Sequence, residues 1–220
     1  METISIIGGT GALGTGLATR WARAGHRVII GSRNAGRAET ASRELNTRVG
    51  GDRVSGLNNA DAAAAGNIVV LTVKFEHQQN TLEQIKAGVQ GKILVDTTAP
   101  LVPPKVARVH LPKEGSAGMI TQQVLGNGVL VVSAFQNIAA EALNSSKAID
   151  CEVLVTGNDV DARNKVIELA AVAGVRAWHA GPLANSVAAE ALTSVLIHIN
   201  KRYSSDHAGI RINGVSRETP

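Results

Sequence analysis

A turn containing three glycines, Gly9-Thr10-Gly11-Ala12-Leu13-Gly14, follows directly on an apolar, β-branched run over residues 3–8. That order is the signature of a phosphate cradle: the first glycine permits a tight turn, the second lets backbone approach a pyrophosphate, and the third allows close packing of the next helix on the strand. An Ala- and Leu-rich stretch over residues 12–24 reads as that helix, with its unpaired amides and positive dipole end aimed at the same point. A second apolar run over residues 26–31 delivers Ser32-Arg33, and Ser32 lies 18 positions beyond Gly14. An acid usually stands at roughly this 20-residue offset and bonds a free ribose 2′-hydroxyl. Here a hydroxyl, Arg33 and, one turn later, Arg37 take its place, and guanidinium groups suit bidentate contact with a phosphate. The spacing therefore predicts NADP(H), not NAD, as the dinucleotide.

Elements of alternating type must hold these residues. Helices are expected over residues 35–46 and 59–65, the latter opening on an Asn/Asp cap, and near 78–87; strands are expected at 53–57, 68–73 and 92–96. Alternation of this kind builds an α/β fold, a Rossmann-type doubly wound parallel sheet, completed by a small C-terminal α/β part from about residue 128. The whole chain, 1–220, is expected to form a single dinucleotide-binding domain, since 220 residues suffice for one substantial core. Ligands in such sheets bind outside the carboxyl ends of the strands. That rule selects residues 8–13, 31–33, 72–77 and 97–100. Residues 98–104 and 114–119 look loop-like, and 119–125 look helical. Further strands are expected at 128–135, 152–156 and 176–179, with a helix between the last two that starts at Asn158 or Asp159 and closes at Gly174. The final helix carries Val187, Ala188, Ala191, Leu192, Val195, Leu196 and Ile199 on one stripe. Such a stripe has to be covered, by its own core or by a second subunit, and a homodimer is the preferred expectation.

Composition narrows the function classes. The formal charge is +4, with basic residues spread along the chain, and the aromatics Trp21, Phe75, Phe135, Trp178 and Tyr203 are too few for a base-stacking nucleic-acid surface. One cysteine, Cys151, lies in an apolar strand-like run and allows no disulfide within the chain. Residues 186–203 are interrupted by Ser194, His198 and Asn200, short of the roughly 18 unbroken apolar residues of a membrane span. A soluble, cytoplasmic protein that binds neither nucleic acid nor membrane is expected.

Several strings together resemble one family. GGTGALGTGLA, the Ser32-Arg33 pair, LTVKFEHQ, VVSAFQNIAAEAL, CEVLVTGNDVDA, AGPLANS and HAGIRINGV, in that order, are similar to the NADPH-dependent reductases of the 5-deazaflavin coenzyme F420. The resemblance runs nearly the whole length and implies a dinucleotide-binding fold, a dimer, and reversible hydride transfer between NADP and coenzyme F420. It implies cofactor contacts at Thr10, Gly11, Ala12 and Leu13 in the turn, at Ser32, Arg33 and Arg37 for the 2′-phosphate, and at Thr72, Val73, His77 and Ala140 beside the nicotinamide. It also implies that Gln136, Asn137 and Ile138, with Leu183, Asn185 and Ser186, face the deazaflavin. The chain departs from the family pattern at Lys74, where proline is usual, and at Val187 and Ala188, where many members carry arginine.

Hydride transfer between two rings asks little of side chains beyond holding the carbons about 3 to 3.5 Å apart. The absence of any catalytic triad, HExxH or CxxC in the sequence suits that demand, and its six histidines lack metal-ligand spacing. Lys74 would contact a cofactor phosphate or, if desolvated, act as a tuned acid. Because of it two further readings stay open: reduction of a small carbonyl, imine or other acceptor in the same pocket, with Lys74, His77 or His179 as proton donor, and an NADP-sensing protein without turnover.

Overall fold

A computed structural model describes residues 1–145 and 147–215. Eight strands form one sheet: β1 (Thr3–Ile7), β2 (Arg27–Ser32), β3 (Val54–Asn58), β4 (Ile68–Leu71), β5 (Ile93–Asp96), β6 (Leu130–Ser133), β7 (Glu152–Gly157) and β8 (Arg176–His179), in the spatial order β3-β2-β1-β4-β5-β6-β7-β8. The first six are parallel, and β1 is flanked by β2 and β4. Its residues Ile4 to Ile7 are buried on both faces, as a central strand's must be. The point where the strand order reverses therefore lies at the end of β1, where the glycine turn stands.

The helices α1 (Ala12–Arg23), α2 (Ala35–Val49), α3 (Asn59–Ala65), α4 (Phe75–Ile85) and α5 (Ala117–Leu125) connect these strands. Two apolar clusters fill the two faces. One centres on Ile4, Ile6, Leu17, Trp21 and Ile30 under α1 and α2, the other on Ile7, Val69, Leu71, Leu82 and Ile85 under α3, α4 and α5.

The second half departs from the parallel order of the first six strands. After β6 the chain makes only a five-residue helix, α6 (Ala140–Asn144), then enters β7 antiparallel to β6, with Ser133 opposite Thr156. A parallel return requires a crossover that carries the chain back over the sheet, and five helical residues rise only about 7.5 Å. Instead α6 packs closely against α1, where a Cβ on Gly16 would come within 2.7 Å of Leu143 Cβ. The helices α7 (Val160–Val172) and α8 (Ser186–Tyr203) complete the fold; α7 is capped by Asp159, whose carboxylate accepts from Ala162 N at 2.7 Å. Helix α4 starts at Phe75, three residues before the expected start, and ends two before the expected end. Helix α6 and the short 3-10 turn Leu183–Asn185 were not expected from the sequence.

Helix α8 presents a largely polar face to the core. Its buried side carries Ser186, Ala189, Glu190, Ser194 and Leu196, whereas Val195 is 43% exposed, Ile199 36% and Tyr203 74%. Of the apolar stripe read from the sequence, Leu196 is buried, Val187, Ala191 and Leu192 are half-buried, and Ala188, Val195 and Ile199 are exposed, so part of it is left open where the core offers polar partners instead. Cys151 is buried just before β7, and burial pushes its thiol pKa up. No helix among the described residues is long and apolar enough to cross a membrane.

Candidate active site

The carboxyl ends of β1, β2, β4, β5 and β6 converge on two adjoining cavities of about 360 and 390 Å³ that share Thr72, Val73 and Lys74 as a common wall. The first is lined by Gly8, Thr10, Gly11, Ser32, Arg33, Asn34, Arg37, Asn59, His77 and Thr81. It brings together the glycine turn and the residues after β2, as the spacing predicted.

Each glycine of the turn has a distinct constraint. A Cβ on Gly9 would come within 2.6 Å of Ile6 O, and one on Gly14 within 2.7 Å of Gly9 Cα, so both mark close backbone approaches. A Cβ on Gly11 meets nothing closer than 3.8 Å, and this residue lines the cavity. Gly11 is also the N-cap of α1 and offers no side-chain cap. By contrast α2, α3 and α5 are capped by Asn34, Asn58 and Ser116. The first-turn amides of α1 are therefore left for an anion.

Beyond β2, Ser32 is buried and its Oγ accepts from Asn34 N at 3.3 Å, leaving the hydroxyl proton to donate outward. Asn34 in turn caps α2 by accepting from Arg37 N at 3.2 Å. That cap sets Arg37 in the first turn of α2, and Arg33 and Arg37 both extend exposed guanidinium groups along the cavity rim.

The second cavity is more apolar. Leu13, Thr72, Val73 and Lys74 meet Thr97 to Ala99, Leu101, Pro103 and Val106 from the loop after β5; Phe135, Gln136, Ile138 and Ala140 close it from the β6 side, and Thr193 from α8. Phe135 sits at φ 72, a conformation that costs a bulky residue strain, held by burial and an edge-on contact with Trp21 at 6.3 Å between ring centroids. This bend turns Gln136 toward the end of β5. Its Nε2 donates to Asp96 O at 2.9 Å and Ser133 Oγ at 2.7 Å, while Gln136 Oε1 is buried without a partner. An unpaired buried acceptor beside a cavity fits a polar occupant that supplies the missing bond.

Two buried acids stand behind this wall. Asp96 is fully buried and accepts from Gln78 Nε2 (2.8 Å), Thr121 Oγ1 (2.6 Å) and Thr98 N (2.8 Å); burial raises its pKa against those bonds. Glu190 of α8 accepts from Ala117 N (2.6 Å) and Gly118 N (3.0 Å) at the start of α5. Burial first, and the charge of Asp96 second, push its pKa up to about 7. Nothing local in the sequence marks either acid, because their partners come from distant elements.

The structure separates some residues expected together. Lys74 is exposed at the N-cap of α4 and touches both cavities, whereas His77 lines only the dinucleotide cavity. Ala12 opens α1 on the exposed rim of the turn. Asn137 lines neither cavity and donates to Glu152 O at 2.6 Å. Leu183, Asn185 and Ser186 also line neither: Leu183 is packed in the second core cluster, Asn185 donates to Ala180 O at 2.7 Å, and Ser186 donates to Ser116 Oγ at 2.7 Å. His179, on β8, contacts Asn164 Oδ1 at 2.8 Å and is remote from both cavities. No group of three or more His, Cys, Asp or Glu side chains among the described residues is arranged to hold a metal ion.

Residues 3–100, which carry the turn, Ser32-Arg33 and the Thr72–Lys74 wall, match the family model described as NADP oxidoreductase coenzyme F420-dependent. The chain is 40% identical over 221 residues to the F420-dependent NADP reductase of Methanocaldococcus jannaschii, covering 96% of this chain and 98% of that one. It is 40% identical over 223 residues to the protein of the same name from Methanothermobacter thermautotrophicus, covering 98% and 96%. The crystal structure of a putative F420-dependent NADP-reductase from Arthrobacter sp. FB24 superposes with a TM-score of 0.80 at 25% identity, over 97% of this chain and all of that one. Family resemblance at this level spans both cavities and the strands that shape them, and by it the chain belongs to the F420-dependent NADP reductases.

Proposed function

We propose that the chain transfers a hydride between NADP(H) and coenzyme F420, with the dinucleotide in the turn-lined cavity and the deazaflavin in the adjoining apolar one. The observation that carries this reading is the shared lining of Thr72, Val73 and Lys74, which sets the two cavities side by side. In this arrangement the α1 amides and Gly11 take the pyrophosphate, and Ser32, Arg33 and Arg37 take the 2′-phosphate. Thr72 and Val73 of the shared wall flank the nicotinamide where it reaches the apolar cavity beside Leu13 and Ala140, and Gln136 and Ile138 face the acceptor. The nicotinamide supplies the hydride; the side chains orient the two rings and exclude water from between them. Lys74 sits where either a cofactor phosphate or an anionic acceptor group would meet it. Its exposure supports that electrostatic role over a desolvated acid.

The test is to mix the pure protein with NADPH and oxidised F420 and follow the loss of deazaflavin absorbance. Reduction at a rate proportional to protein is the expected result; NADPH binding without F420 reduction would refute the reading.

We further propose that the chain works as a homodimer, with the open stripe of α8 at the interface. Val195, Ile199 and Tyr203 repeat every four residues along that helix, and their exposure supports burial against a second copy. Sedimentation is expected to give the mass of two chains, and the mass of one chain would contradict the assignment.

A further inference from the structure

A buried acid outside both cavities connects to the acceptor wall through a single hydroxyl. Glu190 Oε1 accepts from Ser133 Oγ at 3.3 Å, and Ser133 Oγ accepts from Gln136 Nε2 at 2.7 Å. A hydroxyl has one proton, so the direction of the first bond dictates the second: while the Ser133 proton points to Glu190, the oxygen's lone pairs face the Gln136 amide. The NH2 group of Gln136 is thereby held toward Ser133 and Asp96 O, leaving Oε1 as its unpaired acceptor.

Resting on the proposed function, we propose that Glu190 is a positioning residue for the deazaflavin: acting through Ser133, its ionised carboxylate holds the Gln136 amide in the orientation that receives the acceptor. Protonation reverses the logic. A neutral carboxyl can donate to Ser133, releasing the hydroxyl proton and removing the charge that fixes its direction. The groups around Glu190 are few. Helix α5 presents the Ala117 and Gly118 amides, β6 presents the Ser133 hydroxyl, and β5 contributes Asp96, whose charge opposes ionisation. The titration of Glu190 at about 7 puts the change between pH 6 and 8. Affinity for the acceptor should accordingly improve as pH rises through that window, while affinity for NADPH, bound in the other cavity, should not follow it.

The experiment measures the Michaelis constants for F420 and for NADPH from pH 6 to 8 in the parent, in Glu190→Gln and in Ser133→Ala. Glu190→Gln keeps the shape but cannot ionise; Ser133→Ala leaves the contacts of Glu190 with α5 intact and cuts only the link to Gln136. The parent's F420 constant is expected to fall about five-fold from pH 6 to 8. In both variants it should stay at the high, acid-side level across the range, with the NADPH constant within about two-fold of the parent's. Either variant retaining the parent's pH profile, or both Michaelis constants rising together, would overturn the inference. Failure of the parent to reduce F420 would instead overturn the proposed function, and this inference with it. Should Glu190→Gln not fold, Ser133→Ala alone decides between the same outcomes.

Discussion

Replacing Arg33 with alanine is expected to raise the Michaelis constant for NADPH by about ten- to hundred-fold and to leave that for NADH within about two-fold. The two dinucleotides differ by one phosphate. Arg33 lines the cavity beside Ser32, is exposed, and is one of two guanidinium groups at the position where an acid would read a free hydroxyl. A charge-assisted bond to a phosphate is among the stronger hydrogen bonds, and its loss acts only on the ligand that carries the phosphate. Arg37→Ala should act in the same direction with a smaller effect, because Arg37 stands one helical turn farther along α2. Steady-state kinetics with both dinucleotides check this, and an equal loss for NADPH and NADH would remove the 2′-phosphate role. Arg33→Lys should recover only part of the selectivity, since a point charge cannot reproduce a bidentate fork.

Two glycines of the same turn are expected to fail in opposite ways when given a methyl group. In Gly14→Ala the new Cβ would lie 2.7 Å from Gly9 Cα and 2.8 Å from Gly9 O, both backbone atoms that cannot swing aside. Helix α1 would have to lift from β1, at a cost of about 1–3 kcal/mol as for other overpacked sites. The expected readout is a thermal midpoint lowered by several degrees with NADPH affinity impaired as a consequence. Gly11→Ala has 3.8 Å to its nearest neighbour and an ordinary φ of −77°, so the fold should be unharmed. The methyl instead occupies the approach to the α1 amides. NADPH affinity should fall about ten-fold or more at an unchanged midpoint, measured by titration and thermal unfolding on the same sample. A stable Gly14→Ala, or a Gly11→Ala that binds NADPH normally, would contradict the division of roles along the turn.

The dinucleotide half was legible in the sequence because its signals are local. Gly9, Gly11 and Gly14 each answer a constraint within the turn, Asn58 caps α3 through Asp61 N at 2.9 Å three residues on, and the apolar runs that end at Ile7 and Leu71 can only be buried strands. The acceptor half was legible only in part. The rule for carboxyl ends of strands selected residues 97–100, of which Thr97, Thr98 and Ala99 line the cavity, but Leu101, Pro103, Val106 and Thr193 reach it from an irregular loop and from a helix about 90 residues away. Gln136 and Ile138 line the acceptor cavity and Lys74 both cavities, whereas Leu183, Asn185 and Ser186 line neither: Leu183 packs in the core, and the other two bond Ala180 O and Ser116 Oγ.

The exposed part of the α8 stripe has a physical cause that lies outside the helix. Hydrophobic patterning says that a face must be covered and not by what, so the open stripe on α8 could not be told from a core stripe by period alone. What turns α8 is a buried polar set, Glu190 with the α5 amides and Ser194 with Arg108 O at 3.3 Å, and such pairings are invisible until the fold brings them together. The acids Asp96 and Glu190 escaped notice for the same reason, although they shape the wall on which the acceptor is proposed to rest.

Direct transfer between two rings held face to face at the Thr72–Lys74 wall is the central claim, and isotope tracing tests it most closely. NADPH carrying deuterium at the transferring position of C4 is incubated with the protein and oxidised F420 in ordinary water, and the reduced deazaflavin is analysed by mass spectrometry. The arrangement predicts one deuterium per reduced F420, carried across without exchange; reduced F420 that has taken its hydrogen from the solvent would contradict it.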